Sequence, residues 1–269
     1  MSILSFILAI LMSIGAFFTY QFGTKQPEPE NIQSEIASPI DNKEMFNSLL
    51  IDAVIKNENI IDVFDFGMTE HDAAELLQQF QYEHPEYAYT YEGCTMELYS
   101  PSSIYVNSIR VPQKRMETGK GIADQIDTWV NDIVKQAPSD MNDKQKALWI
   151  NQYMIDHFQY DNSLQHKTVY DMMIYGEGVC CGYTQVFVCL ARAIGLDASF
   201  AISDTLNHAW NIVKIDNVWY NIDVTWNDGG ENAKQYLFLS DEDMALAHNS
   251  TTEEISYQLY QCQDSMICK

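Results

Sequence analysis

The stretch from Gly176 to Trp226 constrains this chain most, because it places a cysteine, a histidine and an acid in order within one short span. Gly178-Val179-Cys180-Cys181-Gly182-Tyr183 comes first, then His208-Ala209-Trp210-Asn211, then Tyr220-Asn221-Ile222-Asp223-Val224-Thr225-Trp226. These are the residue types of a thiol nucleophile, the base that takes its proton and the group that orients the base. The local pattern decides whether they can meet.

Gly176, Gly178 and Gly182 bracket the cysteines and permit close turns into a helix. Tyr183, Val186, Phe187, Leu190, Ala191 and Ile194 then recur at helical spacing, with Gly195 where a helix would end. Cys180 is therefore expected at the first turn of a largely buried helix. Unpaired N–H groups and the macrodipole favour an anion there, which predicts a stabilised thiolate. Cys181 and Cys189 read as small buried hydrophobes.

Past Gly195 the pattern turns β-like: Ala198 to Ile202, His208 to Ile215 and Val218 to Trp226 read as strands. Asp216-Asn217 is a two-residue turn candidate, since both residues tolerate a left-handed backbone. With that turn Ile215 faces Val218, Trp210 faces Asp223, and His208 and Asp223 become diagonal neighbours, roughly 7–8 Å apart at the backbone. A three-residue loop would put them on opposite faces. Asp223 in an apolar strand needs a partner, because a buried lone carboxylate is costly. Trp210 and Trp226 are cleft wall or core, and Asn211 is polar wall or strand surface.

The motifs Gly-Val-Cys-x-Gly-Tyr, His-Ala-Trp-Asn and Trp-Tyr-x-x-Asp-Val-Thr-Trp resemble those of bacterial transglutaminase-like proteins. The likeness continues through Asp143 to Leu148, Tyr160-Asp161 and Tyr236 to Ser240, roughly the C-terminal half. It implies an α+β fold with a papain-related core, in which a helix carrying the cysteine packs on an antiparallel sheet. The implied catalytic residues are Cys180, His208 and Asp223. The Cys180 backbone N–H is the natural oxyanion donor, Tyr160 is a candidate second donor, and Trp210 and Tyr160 are candidate substrate-binding residues. Two functions stay open: a thiol enzyme that hydrolyses or transfers amide bonds of proteins or peptides, and a non-catalytic binding module of the same fold.

Upstream, the charge-free apolar run Ile3 to Phe22 reads as a membrane anchor or export signal within residues 1–24, placing the chain in the cell envelope or outside the cell. Residues 25–43 form a polar linker with Pro27, Pro29 and Pro39. A small α/β region is expected over 44–112, with a helix from Thr69 to Phe80 and strands at Tyr87–Tyr91, Met96–Tyr99 and Ile104–Val111. The transglutaminase-like domain fills 113–269, entered by helical stripes at Ile122 to Ile133 and Ala147 to Phe158, where His157 is expected to be packed and hydrogen-bonded. Ser139, Asp140 and Asn142 are N-cap candidates for the second helix.

A net charge of −23 argues against nucleic acid as a partner, because phosphates would be repelled. No Cys-x-x-Cys pair or histidine cluster suggests zinc, Asn227 to Asn232 lacks EF-hand spacing and reads as a surface loop, and no cofactor is expected. Cys262 and Cys268 could close a small disulfide loop outside the cell, with Cys94 as a spare.

Overall fold

The computed structural model describes residues 43–100, 103–229 and 235–266. The expected anchor, the linker up to Asn42, residues 230–232 of the expected surface loop and Cys268 lie outside the described residues; Asn227 to Gly229, expected in that loop, are helical, with Asn227 buried. Among the described residues no helix is long and apolar enough to cross a membrane. The chain divides into two compact units, one ending at Ala123 and the other beginning at Asp124, whereas the sequence pattern placed its division after Pro112.

The first unit contains α1 (Lys43–Lys56), β1 (Ile60–Asp62), α2 (Glu70–Glu83), α3 (Ala88–Tyr91), β2 (Thr95–Leu98) and β3 (Val106–Arg110). Its three strands run antiparallel in the order β1-β3-β2, with Ile109 facing both Ile61 and Met96. Thr69 starts α2 through a reciprocal capping box with Asp72, satisfying two end groups at once. Tyr87–Tyr91, expected as a strand, is instead the end of a 3-10 turn, Pro85–Tyr87, running into α3. Pro85 presets the first helical φ. Tyr91 packs edge-on against Phe80 at 5.3 Å and donates its hydroxyl to the Leu50 carbonyl at 2.5 Å, so tertiary burial overrides the β preference of tyrosine. The unanticipated α1 buries Phe46, Leu50, Ala53 and Val54, a spacing legible in the sequence.

Helix α4 (Gln113–Val134) buries Ile122, Ile126, Val130 and Ile133, as the stripe predicted. The second unit continues with α5 (Asp143–His157), β4 (Gln159–Tyr160), α6 (Val169–Tyr175), β5 (Glu177–Gly178), α7 (Cys180–Ala193), β6 (Ala198–Ser203), β7 (His208–Ile215), β8 (Val218–Ile222), α8 (Val224–Gly229), β9 (Leu237–Leu239), α9 (Asp241–Ala247) and β10 (Tyr257–Gln258). Asn142 caps α5 in a box with Gln145. His157 is exposed rather than packed inside, its ring stacked on Tyr153 at 4.0 Å and its Nδ1 at 2.8 Å from the Tyr153 carbonyl.

Five antiparallel strands, ordered β10-β6-β7-β8-β9, form the main sheet, and α7 packs across β7 and β6. The two-residue turn is present: Asp216 (φ 50°) and Asn217 (φ 68°) are both left-handed, and Ile215 pairs with Val218. The ladder then ends at Asn211–Ile222. The expected strand to Trp226 is corrected, because Asp223 terminates it and starts α8. Its Oδ1 accepts from the Trp226 N–H at 3.0 Å and its carbonyl from Asn227. The β-branched Val224 and Thr225 yield to a local cap.

Candidate active site

Helix α7 is held in place from several sides. Val186, Phe187 and Leu190 are wholly buried, each contributing roughly 1.5–3 kcal/mol of transfer free energy. Asn211, left by the sequence between wall and surface, is buried. Its side-chain amide donates to the Thr184 carbonyl of α7 at 3.1 Å and to the Ser199 carbonyl at 3.2 Å, tying helix and sheet together. The glycines divide their labour. Gly176 is the left-handed cap of α6, whereas Gly178 and Gly182 leave room for Met172, where a Cβ would press on its side chain. This seats Cys180 at the mouth of α7, where its sulfur accepts from the backbone N–H of Ala209.

Ala209 follows His208, so the thiol meets β7 at the residue next in sequence to the histidine. His208 Nε2 lies 2.6 Å from Asp223 Oδ2. Asp223 is fully buried. Burial works against its ionisation, but His208 and then His248, both bonded to it, outweigh burial and hold the carboxyl well below its ordinary range. An ionised carboxylate only accepts, so His208 carries its proton on Nε2.

The expected thiolate is corrected. A hydrogen bond to the Cys181 side chain, then burial, the Cys181 sulfur and the Asp223 charge push the Cys180 thiol well above its ordinary value. The Ala209 amide pulls the other way and loses. The helix end alone does not ionise a sulfur that is also dehydrated and close to a carboxylate. Cys181 is thus half-buried and engaged with Cys180, while Cys189 is buried as expected.

The two candidate substrate residues differ in access. Trp210 is only 2% exposed; its Nε1 donates to Asn221 Oδ1 at 2.7 Å and its ring stacks on that of His208. It is core that backs the imidazole. Tyr160 is 39% exposed; burial raises its hydroxyl first, and Cys180 and Cys181 act in the same direction, which marks it as a neighbour of the sulfur. The following Asp161 anchors this segment: Oδ1 accepts from Ser163 N and Oγ at 2.7 and 2.6 Å, and Oδ2 from Gln165 N and His166 N at 2.8 and 2.9 Å.

The sequence pattern missed His248, whose Nε2 stands 2.9 Å from the same Asp223 Oδ2. It follows α9 with no motif around it; only the cost of burying Asp223 hinted at a further donor.

Two groups gather metal-ligand atoms, His208-Asp223-His248 and Asp161-His166-Glu177. In the first, Asp223 Oδ2 already accepts from both imidazoles, so the three groups bond to one another. In the second, Asp161 is already saturated by four donors. In both groups the aspartate is engaged in hydrogen bonds within the protein.

A family profile for the transglutaminase-like superfamily matches residues 127–224, which include Cys180, His208 and Asp223. The chain carries a transglutaminase-like domain. Kyphoscoliosis peptidase of Mus musculus is 26% identical over 141 residues, 44% of this chain and 21% of the relative. The human kyphoscoliosis peptidase is 24% identical over 145 residues, 46% of this chain and 22% of the relative. The chain thus spans about a fifth of the length of these curated relatives. Among solved structures, a TGase aligns with 18% identity and a TM-score of 0.34, over 62% of this chain and 51% of the other. A candidate cysteine protease from Cytophaga hutchinsonii aligns with 18% identity and a TM-score of 0.31, over 38% and 37%. The mixed helical and antiparallel-sheet architecture of the transglutaminase-like domain agrees with the α+β class read from the sequence.

Proposed function

We propose that this transglutaminase-like domain is a thiol enzyme acting on amide bonds of proteins or peptides. The observation that carries the reading is the 2.6 Å contact of His208 Nε2 with Asp223 Oδ2, beside the Ala209 amide that reaches the Cys180 sulfur. Because Asp223 occupies Nε2, Nδ1 is the nitrogen free to serve the thiol. Since the resting thiol is protonated, His208 must take that proton as sulfur attacks the carbonyl carbon. The C–N bond breaks, the leaving amine or ammonia takes the proton from His208, and a thioester remains on Cys180. Water or a second amine then attacks, again losing a proton to His208, and the thiol is restored with an acid or a new amide as product. The Cys180 backbone N–H at the helix start, with Tyr160 beside it, serves the oxyanion. The peptidase among the relatives supports hydrolysis. The apolar run Ile3–Phe22 supports an exported or membrane-tethered setting.

A glutamine-containing peptide incubated with a labelled primary amine, followed by mass spectrometry, separates the routes. Transfer adds the label, whereas hydrolysis yields a deamidated or cleaved peptide. Cys180→Ala abolishes both. Equal conversion by wild type and C180A would remove the thiol from the mechanism. The raised Cys180 thiol also favours a second reading, a non-catalytic protein-binding module. That reading gains if no peptide is converted and His208→Ala leaves the alkylation rate of Cys180 unchanged.

A further inference from the structure

Asp223 Oδ2 receives two imidazoles, and only one of them, His208, stands on the strand whose Ala209 amide reaches the thiol. His248 follows the last residue of α9, and its backbone N–H closes on the Met244 carbonyl at 3.0 Å, which fixes the ring's origin. Its side chain is fully buried among four rings: Trp226 edge-on at 4.3 Å, Trp210 at 5.3 Å, His208 edge-on at 5.4 Å and Tyr236 stacked at 5.7 Å. Nε2 meets Asp223 Oδ2 at 2.9 Å, whereas Nδ1 is buried with no hydrogen-bond partner among the described residues. That asymmetry sets the ring's chemistry. The carboxylate only accepts, so the proton sits on Nε2, and a second proton on Nδ1 would be a buried N–H with no acceptor.

We propose that His248 is a positioning residue that, as a one-proton donor, fixes the Asp223 carboxylate for His208. This rests on the thiol-enzyme reading above. Trp226 N–H holds Oδ1 and His248 shares Oδ2, so the carboxylate cannot turn away when the His208 ring gains and loses its proton. A second fixed donor orients the group without consuming its charge, which stays available to His208 when that ring becomes positive. Loss of the donor therefore acts on turnover more than on substrate binding.

The test compares full-length wild type, His248→Phe (a ring without a donor), His248→Gln (an amide nitrogen near Nε2) and His208→Ala. Readouts are kcat and KM with the peptide substrate, and the rate of Cys180 alkylation by iodoacetamide from pH 5 to 9. H248F is expected to lower kcat about 10- to 100-fold with KM little changed and to displace the alkylation profile, while H248Q restores both to within a few-fold. An H208A profile that moves while that of H248F overlays wild type overturns the role of His248 alone. An H208A profile that also overlays wild type overturns the thiol-enzyme reading and this proposal with it. Should H248F fail to fold, nitrogen-15 spectra of the wild-type histidine rings decide: His248 protonated on Nε2 supports the proposal, and protonation on Nδ1 overturns it.

Discussion

His208 Nε2 and Asp223 Oδ2 stand 2.6 Å apart where the start of β7 meets the turn that closes β8. Asp223 serves two purposes there, as partner of the imidazole and as cap of α8 through the Trp226 N–H at 3.0 Å. The purposes separate by substitution. Asp223→Asn keeps an oxygen for the cap and loses the charge, so turnover is expected to fall about 10²- to 10⁴-fold, as in other triads that lose the acid's charge, with a smaller loss of stability than removal of the whole group. Asp223→Ala also strands two buried imidazoles and a helix N–H, at about 3–5 kcal/mol. Urea unfolding beside peptide turnover checks both. Equal activity of D223N and wild type would contradict the role given to the acid.

The acid limb of the stability curve follows from two carboxylates. Asp161 is 3% exposed. Burial raises its carboxyl, but the Ser163 hydroxyl and the amides of His166, Ser163 and Gln165 hold it well below the ordinary range. The same direction holds for Asp223. A carboxyl depressed in the folded state contributes stability that is complete above its unfolded value, about 3.9, and is lost as pH falls toward the folded value. Asp161→Asn should therefore cost about 3 kcal/mol at pH 7, and the gap to wild type should narrow below about pH 4. Urea unfolding at pH 7, 5 and 3 measures it; a gap constant with pH would assign the cost to packing.

The β7–β8 turn offers a gain. Asn217 sits at φ 68°, a left-handed conformation that costs an L-residue more than glycine. Asn217→Gly is expected to stabilise the protein by about 0.5–1 kcal/mol, because Asp-Gly is the better two-residue turn. Thermal unfolding reads the change. A loss would mean that the Asn217 side chain contributes more than the backbone relief returns.

That turn is also where the sequence was most legible. Asp216-Asn217 set the register, and the register carried His208 toward Asp223. The pattern erred beyond Ile222 because Val224-Thr225-Trp226 has strand composition, while the cap made by Asp223 is a property of one side chain, invisible to periodicity. Tyr87–Tyr91 misled for a related reason: tyrosine favours strands on a half-buried surface, and Tyr91 is instead wholly buried against Phe80. The helix at Lys43 was readable, since Phe46, Leu50 and Ala53 keep helical spacing. His248 was not readable, because its partner lies 25 residues away in the chain and nothing beside it announces a contact.

The pairing of Cys180 with Cys181 allows nucleophile ionisation to be separated from catalysis. The hydrogen bond to Cys181 is the foremost reason the Cys180 thiol holds its proton, followed by burial and the electrostatic influence of the Cys181 sulfur, with Asp223 adding in the same direction. Cys181→Ala removes the first and third influences and leaves the Ala209 amide unopposed by a second sulfur. Iodoacetamide reacts with the thiolate, so Cys180 in C181A should alkylate several-fold faster at pH 7. Peptide mapping assigns the adduct, helped by the burial of Cys94, Cys189 and Cys262. Burial pushes the Cys94 thiol up to about 12, which keeps it silent. Asp223→Asn should ease Cys180 ionisation in the same direction while turnover collapses. A thiol made more reactive in a protein made less active would locate the limiting proton transfer at His208 rather than at sulfur. Unchanged alkylation in C181A would show that Cys181 is a spectator and that burial alone holds the proton on Cys180.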